Sequence, residues 1–296
     1  MEISIFGSMT VRDGGRWLGP GDFGGRKPKQ LLEALVLARG RVVSKDALVE
    51  ALWPVAAPRN PSATIDTYVC VLRQRLFADR STARRVLATL PGSYRFDPAG
   101  YDLDLDRFDQ LTRQAEATPD RLERRRHLED ALALADAGEV LEDEPYVSWV
   151  EEERVLYRER VGRARLAAAR EALVAGEPAA ALRHAEATLR RSPYSEGAFR
   201  IVMLADHVLG CTDLALGAFQ RCREILGQHL GVDPTSETAD LAAAIDAGTA
   251  AAELVAVALG GPAPRPAPSA PAWIPGRMPD RRARQPGASS VPAATG

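Results

Sequence analysis

One stretch of the sequence, residues 62–77, carries an apolar stripe with the spacing of a single helical face. The stripe consists of Ile65, Val69, Leu72 and Leu76. Small, polar and basic side chains occupy the opposite face, and Ser62 is the predicted N-cap. Such a helix must pack against other elements along its apolar side, which leaves its polar face to water or to a partner.

A strand and two further helices precede this helix. Alternating apolar residues over positions 1–9 predict a strand, and an Asp-Gly-Gly sequence shortly afterwards predicts a hairpin. Pro28 opens a helix, because its missing N–H is not needed at the first helical position, and this helix stops near Gly40. Ser44 caps a second helix, which Pro54 ends. These signals predict a mixed α/β unit.

Two strands follow the long helix, over residues 86–90 and 94–96, with a Pro-Gly-Ser turn between them. The order of a strand, three helices and a hairpin is typical of a winged helix-turn-helix, whose recognition helix enters the major groove of DNA. Residues 1–100 also carry 15 Lys and Arg against 9 Asp and Glu, and this balance of +6 attracts a polyanion. We therefore predict that the helix over residues 62–77 reads DNA.

The outer face of this helix supplies the candidate base-reading contacts. Thr and Gln can hydrogen-bond to base edges, and Arg binds phosphates. An amphipathic helix with a merely solvated outer face is the alternative, and the order of the elements favours the DNA reader over it. The predicted recognition set is Thr64, Thr67, Val71, Arg73, Gln74 and Arg75.

From residue 102 to 247 the chain has helical spacing almost throughout, interrupted by Pro and Gly. Gly176 and Gly210 lie 34 residues apart, with similar Ala/Leu sequences after each, and this is the period of tetratricopeptide helix pairs. Any array of antiparallel helical hairpins would give part of the same signal. The predicted helical segments are 104–117, 119–136, 147–175, 178–191, 194–209, 212–229 and 235–247.

Charge and composition divide the chain into three parts. Residues 101–247 carry 18 Lys and Arg against 29 Asp and Glu, a balance of −11 that repels a polyanion. From Gly260 onward nine prolines fall within 37 residues, a composition that cannot offset its ordering entropy. We predict a mixed architecture: a winged helix-turn-helix domain over 1–100, an all-α tetratricopeptide-like domain over 101–247, and a disordered Pro-rich tail over 248–296.

The sequence contains no catalytic or metal-binding motif of the H-E-x-x-H, G-x-S-x-G or C-x-x-C type. Its four histidines are spread over separate predicted helices, and its three scattered cysteines form no disulfide framework. No apolar run approaches 18 residues, and the N-terminus lacks a signal-peptide pattern. We therefore expect a protein that is not an enzyme, holds no cofactor or metal, and works in the cytoplasm at the nucleoid, without a membrane.

Several segments, in order and spacing, resemble the Streptomyces antibiotic regulatory protein family. Two of them, residues 141–154 (LEDEPYVSWVEEER) and 230–234 (LGVDP), are similar to its bacterial transcriptional activator domain. The others resemble its OmpR/PhoB-type winged helix, with its recognition helix and wing; they are residues 23–32, 41–54, 62–76 and 92–96. The resemblance covers roughly residues 1–246.

The resemblance implies a DNA-binding activator of secondary-metabolite, usually antibiotic, gene clusters. Such a protein binds direct repeats in double-stranded DNA near promoters, with a second protomer alongside, and recruits RNA polymerase through a sigma factor or the alpha subunit. This chain has Cys70 and Val71 where related helices often carry Arg, so base preference is not carried over. It also lacks the G-x-x-x-x-G-K-[ST] phosphate loop found in larger members of the family.

Further contacts follow from the same segments. The loop over residues 54–61 is longer and less polar than a tight helix-turn-helix connection requires, so Val55 and Arg59 are candidate polymerase contacts, and a Pro/Ala spacer is the alternative. Two other functions stay open: a tetratricopeptide-like interaction scaffold, and a regulator that senses a ligand in a pocket of the helical domain. The predicted contacts with the DNA backbone, including those from the wing, are Arg26, Lys27, Lys29, Trp53, Tyr94 and Arg95.

Overall fold

The structure, a computed structural model, describes residues 1–259. Its strands, in chain order, are β1 (Glu2–Ser4), β2 (Thr10–Asp13), β3 (Arg16–Leu18), β4 (Val43–Ser44), β5 (Leu87–Leu90), β6 (Ser93–Phe96) and β7 (Asp102–Leu103). One sheet has the order β3-β2-β1-β7 and the other has the order β4-β6-β5. The β1–β7 pair is parallel and the other pairs are antiparallel. The chain therefore returns to its first sheet after the β5–β6 hairpin, which forms the predicted wing.

The three predicted helices between the first sheet and the wing are present: α1 (Arg26–Leu37), α2 (Lys45–Leu52) and α3 (Pro61–Leu76). The predicted apolar stripe of α3 is confirmed, because all four of its residues are buried. Ser44 caps α2 as predicted. The predicted N-cap of α3, Ser62, is wrong: the side chain of Asn60 accepts a hydrogen bond of 3.2 Å from the Ala63 N–H, because Pro61 already occupies the first helical position.

A short helix that the sequence analysis missed, α4 (Arg80–Val86), connects α3 to the wing. Asp79 caps it by accepting a hydrogen bond of 2.7 Å from the Thr82 N–H. Ala83 and Val86 are buried three residues apart, on one face of the helix. Val86 therefore ends α4, and the strand predicted over residues 86–90 begins one residue later.

The rest of the described chain is helical, and each predicted segment contains one helix. Residues 148–150 form a 3-10 turn, so the long third helix of this part begins later than predicted. No helix within residues 1–259 has the length and apolar character that crossing a membrane requires. The helices are α5 (Asp104–Ala117), α6 (Arg121–Ala135), α7 (Glu151–Val174), α8 (Pro178–Arg191), α9 (Glu196–Val208), α10 (Thr212–Leu230), α11 (Ser236–Asp246) and α12 (Ala251–Leu259).

The last of these helices corrects the predicted extent of the tail. Residues 251–259 were expected to be disordered, yet α12 packs on α7 and α9 and buries Leu254 and Val255 in the core of the helical part. Burial of these two side chains provides the apolar contact that a polar, Pro-rich segment lacks. The remainder of the predicted tail, residues 260–296, lies outside the described residues.

The hydrophobic core continues from the winged helix into α5, α6 and α7 without a break near residue 100. The rings of Phe6, Phe108 and Tyr157 meet edge to face, with centroids 5.6 to 5.9 Å apart. The Asp104 carboxylate accepts hydrogen bonds of 2.8 and 2.9 Å from the backbone N–H groups of Ile5 and Phe6. Burial raises the pKa of Asp104 to about 6, against the effect of these hydrogen bonds. The first sheet and α5 are therefore joined by both apolar and polar contacts.

Candidate nucleic-acid interface

The outer face of α3 presents polar side chains of the predicted recognition set. Thr67, Gln74 and Arg75 are exposed, and Thr64 is half-buried on the flank. The hydroxyls of Thr64 and Thr67 donate to backbone carbonyls one turn earlier, at 2.9 and 3.0 Å, and their oxygens keep lone pairs for an incoming donor. The Gln74 amide lies 3.9 Å from Cys70 Sγ and offers both a donor and an acceptor. This face therefore has the chemistry that distinguishes base edges in a major groove.

Arg73 lies on the wing side of α3 and contacts the wing. Its guanidinium donates to the carbonyl of Leu87 at 3.1 and 2.5 Å and to the Thr89 hydroxyl at 2.7 Å. Both acceptors belong to β5, so Arg73 fastens the wing to α3. Burial lowers the pKa of Arg73, with the nearby Arg84 acting in the same direction. Arg73 therefore positions the wing, and its contact with DNA stays a prediction.

Val71 lies on the other flank of α3, against the loop that precedes α1. Gly24 in that loop has φ +86°, and a Cβ atom there would lie 2.4 Å from Val71 Cγ1. A glycine is therefore required at position 24 both by the backbone conformation and by the close approach of Val71. Val71 is half-buried by this contact and offers only part of its side chain to a ligand.

Tyr94, predicted to contact the DNA backbone, is buried on β6. Its hydroxyl donates to Asp66 of α3, which also forms an ion pair of 2.6 Å with Lys45 at the start of α2. Hydrogen bonds from Lys45 and then Tyr94 lower the pKa of Asp66. The Tyr94 side chain therefore ties the wing to α3 through Asp66. Its neighbour Arg95 is the exposed residue of this strand.

Lys29 is also corrected, because its side chain is buried at the junction between α1 and the loop before α7. Its ammonium lies 2.7 Å from Glu33 and 2.8 Å from both Asp143 and Glu144. Gln30 donates to Glu144 at 2.7 Å, so with Lys29 and Arg26 this carboxylate is held from three positions on α1. Burial raises the pKa of Glu33 to about 7, against the attraction of Lys29. Lys29 thus stabilises the junction and does not reach the surface.

The remaining predicted backbone contacts divide into packed and exposed residues. Trp53 is half-buried, with its ring centroid 6.1 Å from that of Tyr68, so packing on α3 uses much of its surface. Lys27 is half-buried and donates to the carbonyl of Leu52; burial, and next the charge of Arg26, lower the pKa of Lys27. Arg26 is exposed and lies 3.2 Å from Glu144. The structure therefore leaves Arg26 and Arg95 as exposed cations of this set.

Two arginines that the sequence analysis did not select, Arg84 and Arg85, are exposed on α4. Both lie in the last turn of this helix, which connects α3 to the wing. The sequence does show two adjacent arginines before the predicted strand. Because α4 was not predicted, the sequence analysis could not assign these arginines to an element. These residues add positive charge to the connection between α3 and the wing.

Comparison with known proteins gives two family matches. Residues 24–96 match the family described as "Transcriptional regulatory protein, C terminal", and residues 103–246 match "Bacterial transcriptional activator domain". The first match contains α1 to α4 and the wing, and the second contains α5 to α11. The described fold and these matches define the class as a transcriptional regulator that combines a winged helix with a helical activator domain.

Similar proteins carry the same kind of description. The chain is 32% identical to the transcriptional regulatory protein EmbR of Mycobacterium tuberculosis over 244 residues, which is 79% of this chain and 60% of EmbR. It is 29% identical to the regulatory protein DnrI of Streptomyces peucetius over 261 residues, covering 83% of this chain and 92% of DnrI. A solved structure of M. tuberculosis EmbR, in complex with a low-affinity phosphopeptide, is similar with a TM-score of 0.75 and 28% identity, over 88% of this chain and 69% of that one.

The chain contains the two domains that these family models describe, and the relatives it matches are regulators of the Streptomyces antibiotic regulatory protein type. The predicted family and fold class are therefore confirmed. The chain spans about three fifths of the length of EmbR, as the 60% coverage states. Which of the predicted side chains touch DNA stays a prediction.

Proposed function

We propose that this protein binds double-stranded DNA in a sequence-specific manner and activates transcription from nearby promoters. The observation that carries the proposal is the exposed polar face of α3, where Thr67 and Gln74 stand between two structural supports. The loop before α1 supports one flank through Val71, and the wing supports the other through Arg73. Base-reading side chains on a helix fixed at both flanks are what major-groove recognition requires.

The exposed cations around this face supply sequence-independent affinity. Arg75 lies on α3, Arg84 and Arg85 lie on α4, and Arg95 lies on the wing. Each phosphate contact releases counterions from DNA, so affinity should fall steeply as salt concentration rises. The contacts with bases should persist as a preference for one sequence over another at a given salt concentration.

The loop between α2 and α3 is the proposed contact with RNA polymerase. Val55 has 96% of its surface exposed and Arg59 is exposed as well, so neither is used by the fold. Recruitment needs only a few kcal/mol, because about 1.4 kcal/mol already changes occupancy tenfold. Two protomers on a direct repeat would place two such loops beside a sigma factor or the alpha subunit. A secondary-metabolite cluster is the target that the family resemblance implies.

The test of DNA recognition is selection of random double-stranded fragments with the purified chain, followed by gel shifts of selected and shuffled DNA at rising salt. We expect binding to the selected DNA to be at least a thousandfold tighter than to shuffled DNA at physiological salt. Equal, salt-labile binding to both would refute sequence-specific recognition and favour an interaction scaffold.

The test of the loop is transcription in a purified system with the double variant Val55→Ala/Arg59→Gln. We expect DNA affinity within twofold of the unmodified protein and a clear loss of activated transcription, because these side chains make no contact that the fold requires. An equal fall in DNA binding and transcription, or unchanged transcription, would exclude the loop as the polymerase contact.

A further inference from the structure

A cleft outside the DNA-binding region lies between α5 and α7, with α6 as its floor. Its volume is about 530 Å³, within the range of small-molecule sites. Both walls are built from positions with i, i+3, i+4, i+7 spacing, so one continuous face of each helix lines the space. Leu128 and Ala164, both buried, form apolar parts of its surface. The cleft can therefore receive an apolar group between two helices.

Four arginines line this cleft, and two of them are engaged by the protein itself. Arg124 donates to the carbonyl of Thr118 at 2.7 Å and to Glu171 at 3.1 Å. Arg160 donates to both oxygens of Asp109 at 2.7 Å. These two guanidinium groups are compensated within the fold.

The other two arginines, Arg113 on α5 and Arg163 on α7, face the same space from opposite walls. Both are exposed, and neither has a hydrogen-bond or ion-pair partner within residues 1–259. Asp109 and Glu116, which line the cleft, and Glu171, which pairs with Arg124, leave a surplus of one positive charge against the four arginines. An anion between the two walls would relieve this repulsion, and a guanidinium binds a phosphate or carboxylate through two parallel hydrogen bonds.

We propose that this cleft binds a small organic anion, with its phosphate or carboxylate group on Arg113 and Arg163 and its apolar body on Leu128 and Ala164. The combination of unpaired guanidinium groups and an apolar floor selects this class over an inorganic ion, which has no apolar part. The same combination favours a small organic anion over a neutral hydrocarbon, which would leave the arginine charges unmatched.

The position of the cleft connects it to the winged helix. The Asp109–Arg160 pair separates it from a second depression of about 250 Å³, which is lined by Arg39 from the turn after α1. Asp109 also accepts a hydrogen bond of 2.8 Å from the Tyr157 hydroxyl and lies 3.5 Å from Arg39 Nη1. An anion held by Arg113 and Arg163 lies beside the Asp109–Arg160 pair, and Asp109 links that pair to Arg39 of the winged helix. Any effect of this link on DNA affinity rests on the proposed DNA binding, whereas occupancy of the cleft does not.

The test is isothermal titration calorimetry of the full chain with 1-naphthyl phosphate and 1-naphthoate, which share an apolar body and differ in the anionic group. The controls are 1-naphthol, which lacks the anionic group, and inorganic phosphate, which lacks the apolar body. We expect one or both naphthyl anions to bind at least tenfold more tightly than either control. Naphthol binding as tightly as the anions, or no binding of either anion at millimolar concentration, would overturn the proposal.

Matched variants locate the binding. Arg113→Gln/Arg163→Gln removes two charges from the cleft, and Arg107→Gln/Arg126→Gln removes two exposed charges from α5 and α6 outside it. We expect the first variant to bind the anion at least tenfold more weakly and the second to bind within twofold of the unmodified chain. Equal weakening in both would show that net charge, and not this cleft, determines binding. Because no DNA is present, failure here leaves the DNA-binding proposal untouched.

Discussion

Replacing Lys29 with Met tests the structural role assigned to the buried junction. Glu33 is fully buried and Glu144 is 2% exposed, and the Lys29 ammonium lies within 2.8 Å of both carboxylates. Removing the cation from a buried ion pair leaves an uncompensated charge, which lowers the free energy of unfolding by about 3–5 kcal/mol. Glu144 keeps its hydrogen bond from Gln30, whereas Glu33 loses its cation, so most of the loss should come from Glu33. We expect Lys29→Met to lower the free energy of unfolding by about 3–5 kcal/mol at pH 8.

The pH dependence of this loss has a definite sign. The pKa of Glu33 is raised to about 7 by burial, so the folded state holds its proton more tightly than the unfolded chain does. The stability from protonated Glu33 is present below its ordinary pKa near 4.5 and is lost as pH rises through 7. Removal of Lys29 raises the pKa of Glu33 further, since Lys29 favours the ionised form. The loss from Lys29→Met should therefore be smaller at pH 5 than at pH 8.

Urea unfolding followed by far-UV circular dichroism, at pH 5 and pH 8, measures both effects. The control is Arg12→Met, because Arg12 forms an exposed ion pair of 2.6 Å with Glu2 and should contribute no more than about 1 kcal/mol. The double variant Lys29→Met/Glu33→Gln should recover part of the loss, because it removes the unpaired charge. A loss below 1 kcal/mol at pH 8 would refute the reasoning, since Lys29 would then behave as a surface residue.

Three further predictions follow from the same contacts. Arg73→Gln should lower the free energy of unfolding by about 1–3 kcal/mol in urea titrations, because the buried Leu87 carbonyl loses its donor. The control Arg75→Gln should leave the free energy of unfolding unchanged and reduce the salt dependence of DNA binding. Gly24→Ala should destabilise by about 1–3 kcal/mol in the same assay, because φ is +86° and the new Cβ meets Val71. The raised pKa of Asp104 means that the folded state binds its proton more tightly than the unfolded chain, so the free energy of unfolding should fall as pH rises from about 4 to 6. Asp104→Asn should make this fall smaller, as urea titrations across that pH range would measure.

Local patterns predicted most of the helices and the exposed polar face of α3, because these depend on spacing within one segment. The apolar stripe of α3 fixed its buried side, and the exposed positions of Thr67 and Gln74 followed from the same periodicity. The charge and type of a residue, in contrast, did not reveal partners far along the chain. Lys29 looked like a phosphate contact, yet Glu144, 115 residues later, holds it in the interior.

Two side chains have internal partners that the sequence does not reveal. The sequence places Tyr94 in the wing and Arg73 on a flank of the recognition helix, and Asp66 and the Leu87 carbonyl engage these side chains within the fold. Whether a polar side chain faces inward depends on a partner that only the tertiary structure supplies. The short helix α4 was missed because its boundaries rest on the Asp79 cap and two buried residues, too few to give a clear period.

The central claim is that the outer face of α3 selects a DNA sequence, and the ratio of affinities for selected and shuffled DNA tests it most directly. Gel-shift titrations at fixed salt should compare the unmodified chain with Thr67→Ala, Gln74→Ala and the phosphate-contact control Arg75→Gln. We expect each of the first two variants to reduce the ratio by about 5- to 150-fold, as roughly 1–3 kcal/mol of base contact requires, while Arg75→Gln weakens both affinities and leaves the ratio unchanged. Equal weakening on both DNAs for Thr67→Ala and Gln74→Ala would contradict this claim.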